Sequence, residues 1–277
     1  MTRNEHSGPG DLPVVAEGGP ERSFGVARVA AEGEEVSSSM PAGSWLCGPE
    51  GRPVLGGLGV LVDNVLGYAL MLHRPRDRWS VSSEISIDLC RPLPAEDPLS
   101  ARASVLTSDS RGAVSSGSVV DHRGRLLAVC RQHGRWVRTL PTARPPGSGA
   151  TTTTIPAAPA TGLLELLGAQ VKADRDSAEL DLLATAELVN PLGNLHGGVA
   201  LCASDLAAQA ALQAGDRSFG TSSVHIAYAR PVPLGTAVRF VATVAHAGRS
   251  FAVVTVTALN ELGKPCTLAT VTAGTQG

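Results

Sequence analysis

Aromatic residues are scarce, at 3% of the chain, so a pocket built on stacked rings has no special support. There is no basic run. Lys and Arg number 23 against 25 Asp and Glu, and the pI near 6.4 gives no footprint of a nucleic-acid partner. The five cysteines (Cys47, Cys90, Cys130, Cys202 and Cys266) are odd in number, scattered and never in a C-x-x-C pair. That argues against a disulfide framework and structural zinc, and it fits reduced thiols in a cytoplasm. Met1 to Pro20 holds one Arg and no apolar block, so no secretory signal is expected. The longest apolar run, Val54 to Leu72, is interrupted by glycines and Asp63 and is not expected to span a membrane. No nucleophile elbow, P-loop or dinucleotide-binding glycine pattern occurs, so serine-hydrolase and nucleotide-driven readings have no support. The expectation is a soluble cytoplasmic protein without metal or cofactor.

Two stretches are of low complexity. Residues 1–21 are rich in Gly, Pro and Glu and read as a tail. Residues 141–160 are rich in Pro, Thr and Ala and read as a linker. They leave two units of similar length, 22–140 and 161–277.

The most informative segment runs from Asn190 to Asp205. Turn formers from Asn190 to Asn194 lead into His196-Gly197-Gly198, where two bare residues allow another molecule close to the backbone. Val199 to Leu212 is apolar on almost every side, the mark of a buried helix. Its first amides lack intrahelical partners and carry partial positive charge, which suits a polarised carbonyl oxygen. Asp205 is the one charge inside that helix, and a lone buried carboxylate is costly unless it is paired. Gly197 and Asp205 are eight residues apart, hence roughly 12 Å along a helix axis. A general base and an oxyanion donor must both lie about 3 Å from one reacting centre. One helix cannot supply both, so a second copy of the unit is required.

The chain contains that copy. Gly48 to Gly51 lies over Asn190 to Gly193, Gly56 over Gly198 and Asp63 over Asp205, all at an offset of 142. Ser82 to Pro94 lies over Thr221 to Pro233 at an offset of 139. Each half reads as one long buried helix followed by strands with β-branched alternation, clearest at Val238–Val244, Ala252–Leu259 and Cys266–Ala273. This pattern indicates an α+β fold with an antiparallel sheet wrapped around a helix in each half.

Asn190-x-x-Gly193-x-x-His196-Gly197-Gly198, then Asp205, Thr221 and Tyr228-x-Arg230-Pro231, resembles the PaaI-type hotdog-fold acyl-CoA thioesterases. The duplicated chain resembles a double hotdog, two tandem hotdog units on one polypeptide. The resemblance implies an active site between the units: Asn190 and Gly197 face the thioester carbonyl, and the helix acid of the opposite unit, Asp63, activates or positions water or attacks the thioester directly, with help from Ser82. His196 supports the loop, and Gly198, Arg91 and Arg230 are substrate-binding candidates, the arginines toward coenzyme A phosphates. The reciprocal site has Asp205 and Thr221, but Gly48, Val54 and Leu55 stand where Asn, His and Gly are needed. One competent site per chain and one impaired pseudo-site are therefore expected. The implied substrate is an acyl-CoA or acyl-carrier thioester, with coenzyme A present only as part of it, and oligomers of double hotdogs are compatible with the resemblance. Two rival readings are a hydratase or dehydratase on the same fold, and a non-catalytic acyl-CoA-binding or scaffolding protein.

Overall fold

The computed structural model describes residues 19–48, 51–94, 96–138, 161–217 and 219–275. The first half contributes a helical turn α1 (Pro20–Ser23), strands β1 (Ala30–Glu32) and β2 (Glu35–Met40), the core helix α2 (Gly59–Leu72), then β3 (Arg78–Leu89), β4 (Leu99–Ser108), β5 (Gly112–Val120) and β6 (Leu126–Arg138). The second half repeats the order: α3 (Leu163–Leu166), β7 (Gln170–Asp174), β8 (Ser177–Leu183), α4 (Gly197–Ala214), β9 (Gly220–Tyr228), β10 (Ala237–Ala247), β11 (Phe251–Asn260) and β12 (Pro265–Gly274). The twelve strands form one antiparallel sheet in the order β1-β2-β4-β5-β6-β3-β9-β12-β11-β10-β8-β7. The halves join at β3 and β9, where Ile85 pairs with Ile226 and Ser86 with His225. Ser86 and His225 are also repeat equivalents at the 139 offset, so the pseudo-twofold axis passes through that pair.

Helices α2 and α4 fill the inside of this sheet and touch each other. Apolar character on all sides is required there: Leu61, Val62, Val65 and Leu66 are fully buried, as are Leu201, Cys202, Ala203 and Ala207. The helix axes cross at Gly59 and Gly198, where a Cβ on either glycine would overlap the carbonyl oxygen of the other. The stretch Leu55–Leu72 is apolar enough in length and composition to cross a membrane, but 83% of it is buried inside the fold as a core helix. Equivalent hairpin turns at Gly124 (φ +73°) and Gly263 (φ +69°) use the left-handed region that glycine tolerates.

Part of the stretch expected as a tail is helical. Residues 1–18 and the linker 141–160 lie outside the described residues, but Pro20 and Glu21 form α1, and Phe24 behind them is fully buried. The Phe24 ring meets Trp45 edge-on at 6.1 Å. That aromatic anchor draws the chain from residue 19 onward into the first unit.

Candidate active site between the halves

The second half opens its helix toward the first. His196 caps α4, its Nδ1 accepting from the Gly198 N–H at 3.1 Å. The Asp63 carboxylate on α2 reaches the same turn: Oδ2 accepts from the Gly198 N–H at 2.9 Å and lies 3.2 Å from His196 Nδ1. A Cβ on Gly197 would stand 2.7 Å from Asp63 Oδ2, so only glycine permits this approach. The Gly197 N–H, at the first helical position, has no protein partner among the described residues. The Gly197 carbonyl accepts from the Tyr228 hydroxyl at 2.8 Å. Burial first, and the Asp63 charge second, hold the Tyr228 phenol well above its ordinary pKa, so it remains a donor.

The other carboxylate oxygen of Asp63 is held by a relay on the sheet. Ser82 Oγ donates to Asp63 Oδ1 at 3.0 Å, and Gln132 Nε2 donates to Ser82 Oγ at 2.7 Å. A β-bulge aims Ser82. Pairing of β3 with β6 slips between Ser82 and Glu84, which switches the side-chain alternation and turns Ser82 inward on the face carrying Ile85 and Ile87. Across the helix, Asn190 Oδ1 accepts from the N–H groups of Leu192 and Asn194 at 3.0 and 3.2 Å. This fixes the carboxamide so that its NH₂ remains as a donor. Asp63, Ser82, Gln132, Asn190, His196, Gly197 and Tyr228 all line one cavity of about 450 Å³.

The reciprocal site repeats the two bonds to its acid but lacks the open cavity. Asp205 Oδ2 accepts from the Gly56 N–H at 2.7 Å, and Thr221 Oγ1 donates to Oδ1 at 2.6 Å. A matching bulge between Ser223 and Thr221 turns Thr221 inward. Gln209 Nε2 donates to Thr221 Oγ1 at 3.1 Å, from the helix rather than from the sheet. Gln209 occupies the position of Gly67 in the other half. The counterpart of the open cavity, beyond Gln209 and against Gly48, Arg52 and Phe219, is about 10 Å³, room for no more than a water, and neither Asp205 nor Thr221 borders it. The helix start is also closed: Val54 and Leu55 are buried, and Leu55–Leu58 wind as a 3₁₀ turn ahead of α2. Asp205 is completely buried, and that desolvation raises its carboxyl pKa, opposed by the bonds from Thr221, Gly56 and Gln209.

Two of the expected substrate contacts lie outside the cavity lining. Gly198 does not line the cavity; its N–H is taken by Asp63, and its Cα lies against α2 at the helix crossing. Arg91 is exposed and also lies outside the cavity lining. Its repeat equivalent Arg230 does line the cavity, held by a 2.7 Å bond from Nη1 to the Pro265 carbonyl. The pattern of the sequence did not single out Gln132, Asn64 or Glu21. Glu21 lines the cavity with Oε1 3.9 Å from His196 Nε2.

Known proteins resemble this chain in both sequence and shape. A family model described as the acyl-CoA thioesterase C-terminal domain matches residues 9–135, and one described as the acyl-CoA thioesterase N-terminal domain matches residues 185–274. The two domain types thus occur in the reverse of the order their descriptions imply. A search of curated protein sequences finds no match. Among solved structures, a thioesterase-like protein of Novosphingobium aromaticivorans is 17% identical and covers 90% of this chain and 98% of its own, with a TM-score of 0.62. Acyl-CoA thioesterase II of Mycobacterium marinum is 11% identical, covering 92% of this chain and 96% of its own at a TM-score of 0.60. An acyl-ACP thioesterase of Bacteroides thetaiotaomicron is 15% identical, covering 87% and 98% at 0.57. At these identities the solved structures bear on the fold, in which both units of the pair are spanned by one chain. The chain belongs to the hotdog-fold acyl-CoA thioesterases, in the internally duplicated form, and is a thioester hydrolase.

Proposed function

We propose that the protein hydrolyses an acyl-CoA thioester at a single composite site per chain, between α2 and the start of α4. The observation that carries this reading is the pairing, inside one open cavity, of an acid from the first half with an unpartnered helix-start amide from the second. The thioester carbonyl oxygen lies at the Gly197 N–H, with the Asn190 NH₂ as a further donor. Negative charge builds on that oxygen as the tetrahedral intermediate forms, and one preorganised donor is typically worth about 10²–10³ in rate. Asp63 positions a water and takes its proton as the oxygen attacks the carbonyl carbon. The C–S bond then breaks, the thiolate leaves and is protonated, and the free acid is released. Ser82, backed by Gln132, orients the carboxylate, and His196 holds the turn that presents Gly197. Arg230 at the cavity rim meets a coenzyme A phosphate as a charge-assisted contact. The Asp205 site, fully buried and capped by Gln209, holds the second half together and turns nothing over.

Single-turnover hydrolysis in ¹⁸O-water tests the reaction. Free thiol should appear, with the label in the released carboxylic acid. Absence of thiol release, or label in the Asp63 side chain in place of the acid, would refute water attack at this carboxylate.

A further inference from the structure

We propose that Asn64 determines substrate specificity, binding a hydroxyl or keto oxygen on the third carbon of the acyl group. The inference rests on the thioesterase reading and deepens it. Asn64 follows Asp63 on α2 and is only 5% exposed. It lines the cavity, yet its carboxamide makes no hydrogen bond to any of the described residues. Its polar atoms are not sealed in the protein either, so the amide is open to whatever enters. A carboxamide this deeply placed, with no partner among the described residues, depends on water or a ligand in the cavity for its hydrogen bonds.

The duplicated half supplies an internal comparison. The equivalent of Asn64 is Leu206, buried in the core beside the closed site. An apolar residue therefore satisfies the fold at this position, and the carboxamide occurs only where the cavity is open. Residues 64, 67, 68 and 71 are spaced as one face of a helix, and all four line the cavity. That face is polar beside Asp63 and becomes apolar toward Met71, with Trp79 alongside. Asn64 follows Asp63 directly on α2 and lines the same cavity, so in the proposed pose, with the thioester between Asp63 and Gly197, the carboxamide lies beside the first carbons of the acyl group.

The test compares kcat/KM of the intact protein for each enantiomer of 3-hydroxybutyryl-CoA with that for butyryl-CoA, by thiol release. The better enantiomer should be preferred at least tenfold, because a site built to bind an oxygen leaves its polar group unpaired with the plain chain. Asn64→Leu, which introduces the residue of the other half, should cut that ratio about tenfold, mainly through KM of the hydroxylated substrate. A wild type without preference would overturn the inference on its own, whether or not the variant folds. So would a variant that slows both substrates by the same factor, since Asn64 would then serve water or the fold. No thiol release from any of these thioesters would overturn the thioesterase reading itself, and the inference with it.

Discussion

Replacing Gly67 with Gln transplants the side chain that fills the closed site into the open one. Gly67 and Gln209 are repeat equivalents, yet one borders a cavity of about 450 Å³ and the other a space of about 10 Å³. A Cβ on Gly67 would find its nearest neighbour, Gln132 Nε2, at 4.0 Å, which is ordinary contact, and the rest of the side chain has the cavity to enter. Removing a helix-interior glycine should add roughly 0.5–1 kcal/mol of stability. The melting temperature should therefore hold or rise by a few degrees, at about 2–4 °C per kcal/mol for a chain of this size. Activity should change in a length-dependent way. Excluding three or four methylenes from the cavity forfeits about 0.8 kcal/mol each, or roughly 2.4–3.2 kcal/mol in total. At 1.36 kcal/mol per factor of ten, that is about 50- to 200-fold in kcat/KM. Thiol release from acetyl-CoA and hexanoyl-CoA measures it: the ratio between them should shift toward acetyl by that factor. An unchanged ratio would show that the acyl chain does not run along this face of α2, and a large drop in melting temperature would refute the claim of free space.

Two further outcomes concern the fold. Gly198→Ala forces a methyl into the Gly59 carbonyl at the helix crossing and should destabilise by about 1–3 kcal/mol, read from denaturant unfolding; an unaffected variant would mean the helices do not touch there. Asp205 has a raised folded-state pKa, so its contribution to stability is fully present below the unfolded value near 3.9 and is lost as pH rises through the folded value. Unfolding free energies of wild type and Asp205→Asn, compared from pH 4 to 8, should show the wild type losing ground as pH increases. A constant difference would mean that Asp205 ionises as freely in the fold as in the unfolded chain.

Much of this architecture is legible in the sequence because duplication writes it twice. Asp63 and Asp205 stand out as lone charges in apolar helices, and the eight-residue gap from Gly197 to Asp205 already requires partners from opposite units. The bulges at Ser83 and Ser222 hide the next step. Strand alternation alone cannot decide which of several adjacent hydroxyls faces inward, and an extra residue in the ladder reverses the answer. Gln132 acts from a strand fifty residues beyond Ser82, a contact made by tertiary pairing and marked by no local motif. Glu21 sits in a low-complexity stretch whose composition reads as tail, and only the burial of Phe24 draws it to the cavity. Gly198 carries the same motif as Gly197 but serves the helix crossing, a distinction that needs the geometry of two helices.

The central claim is that one acid of the two equivalent acids works, and paired neutral variants test it most directly. Thiol release from acyl-CoA by folded Asp63→Asn should fall by about 10²–10⁴, the range for loss of a general base, while Asp205→Asn should retain turnover within about threefold. Equal losses from both variants, or a larger loss from Asp205→Asn, would contradict it.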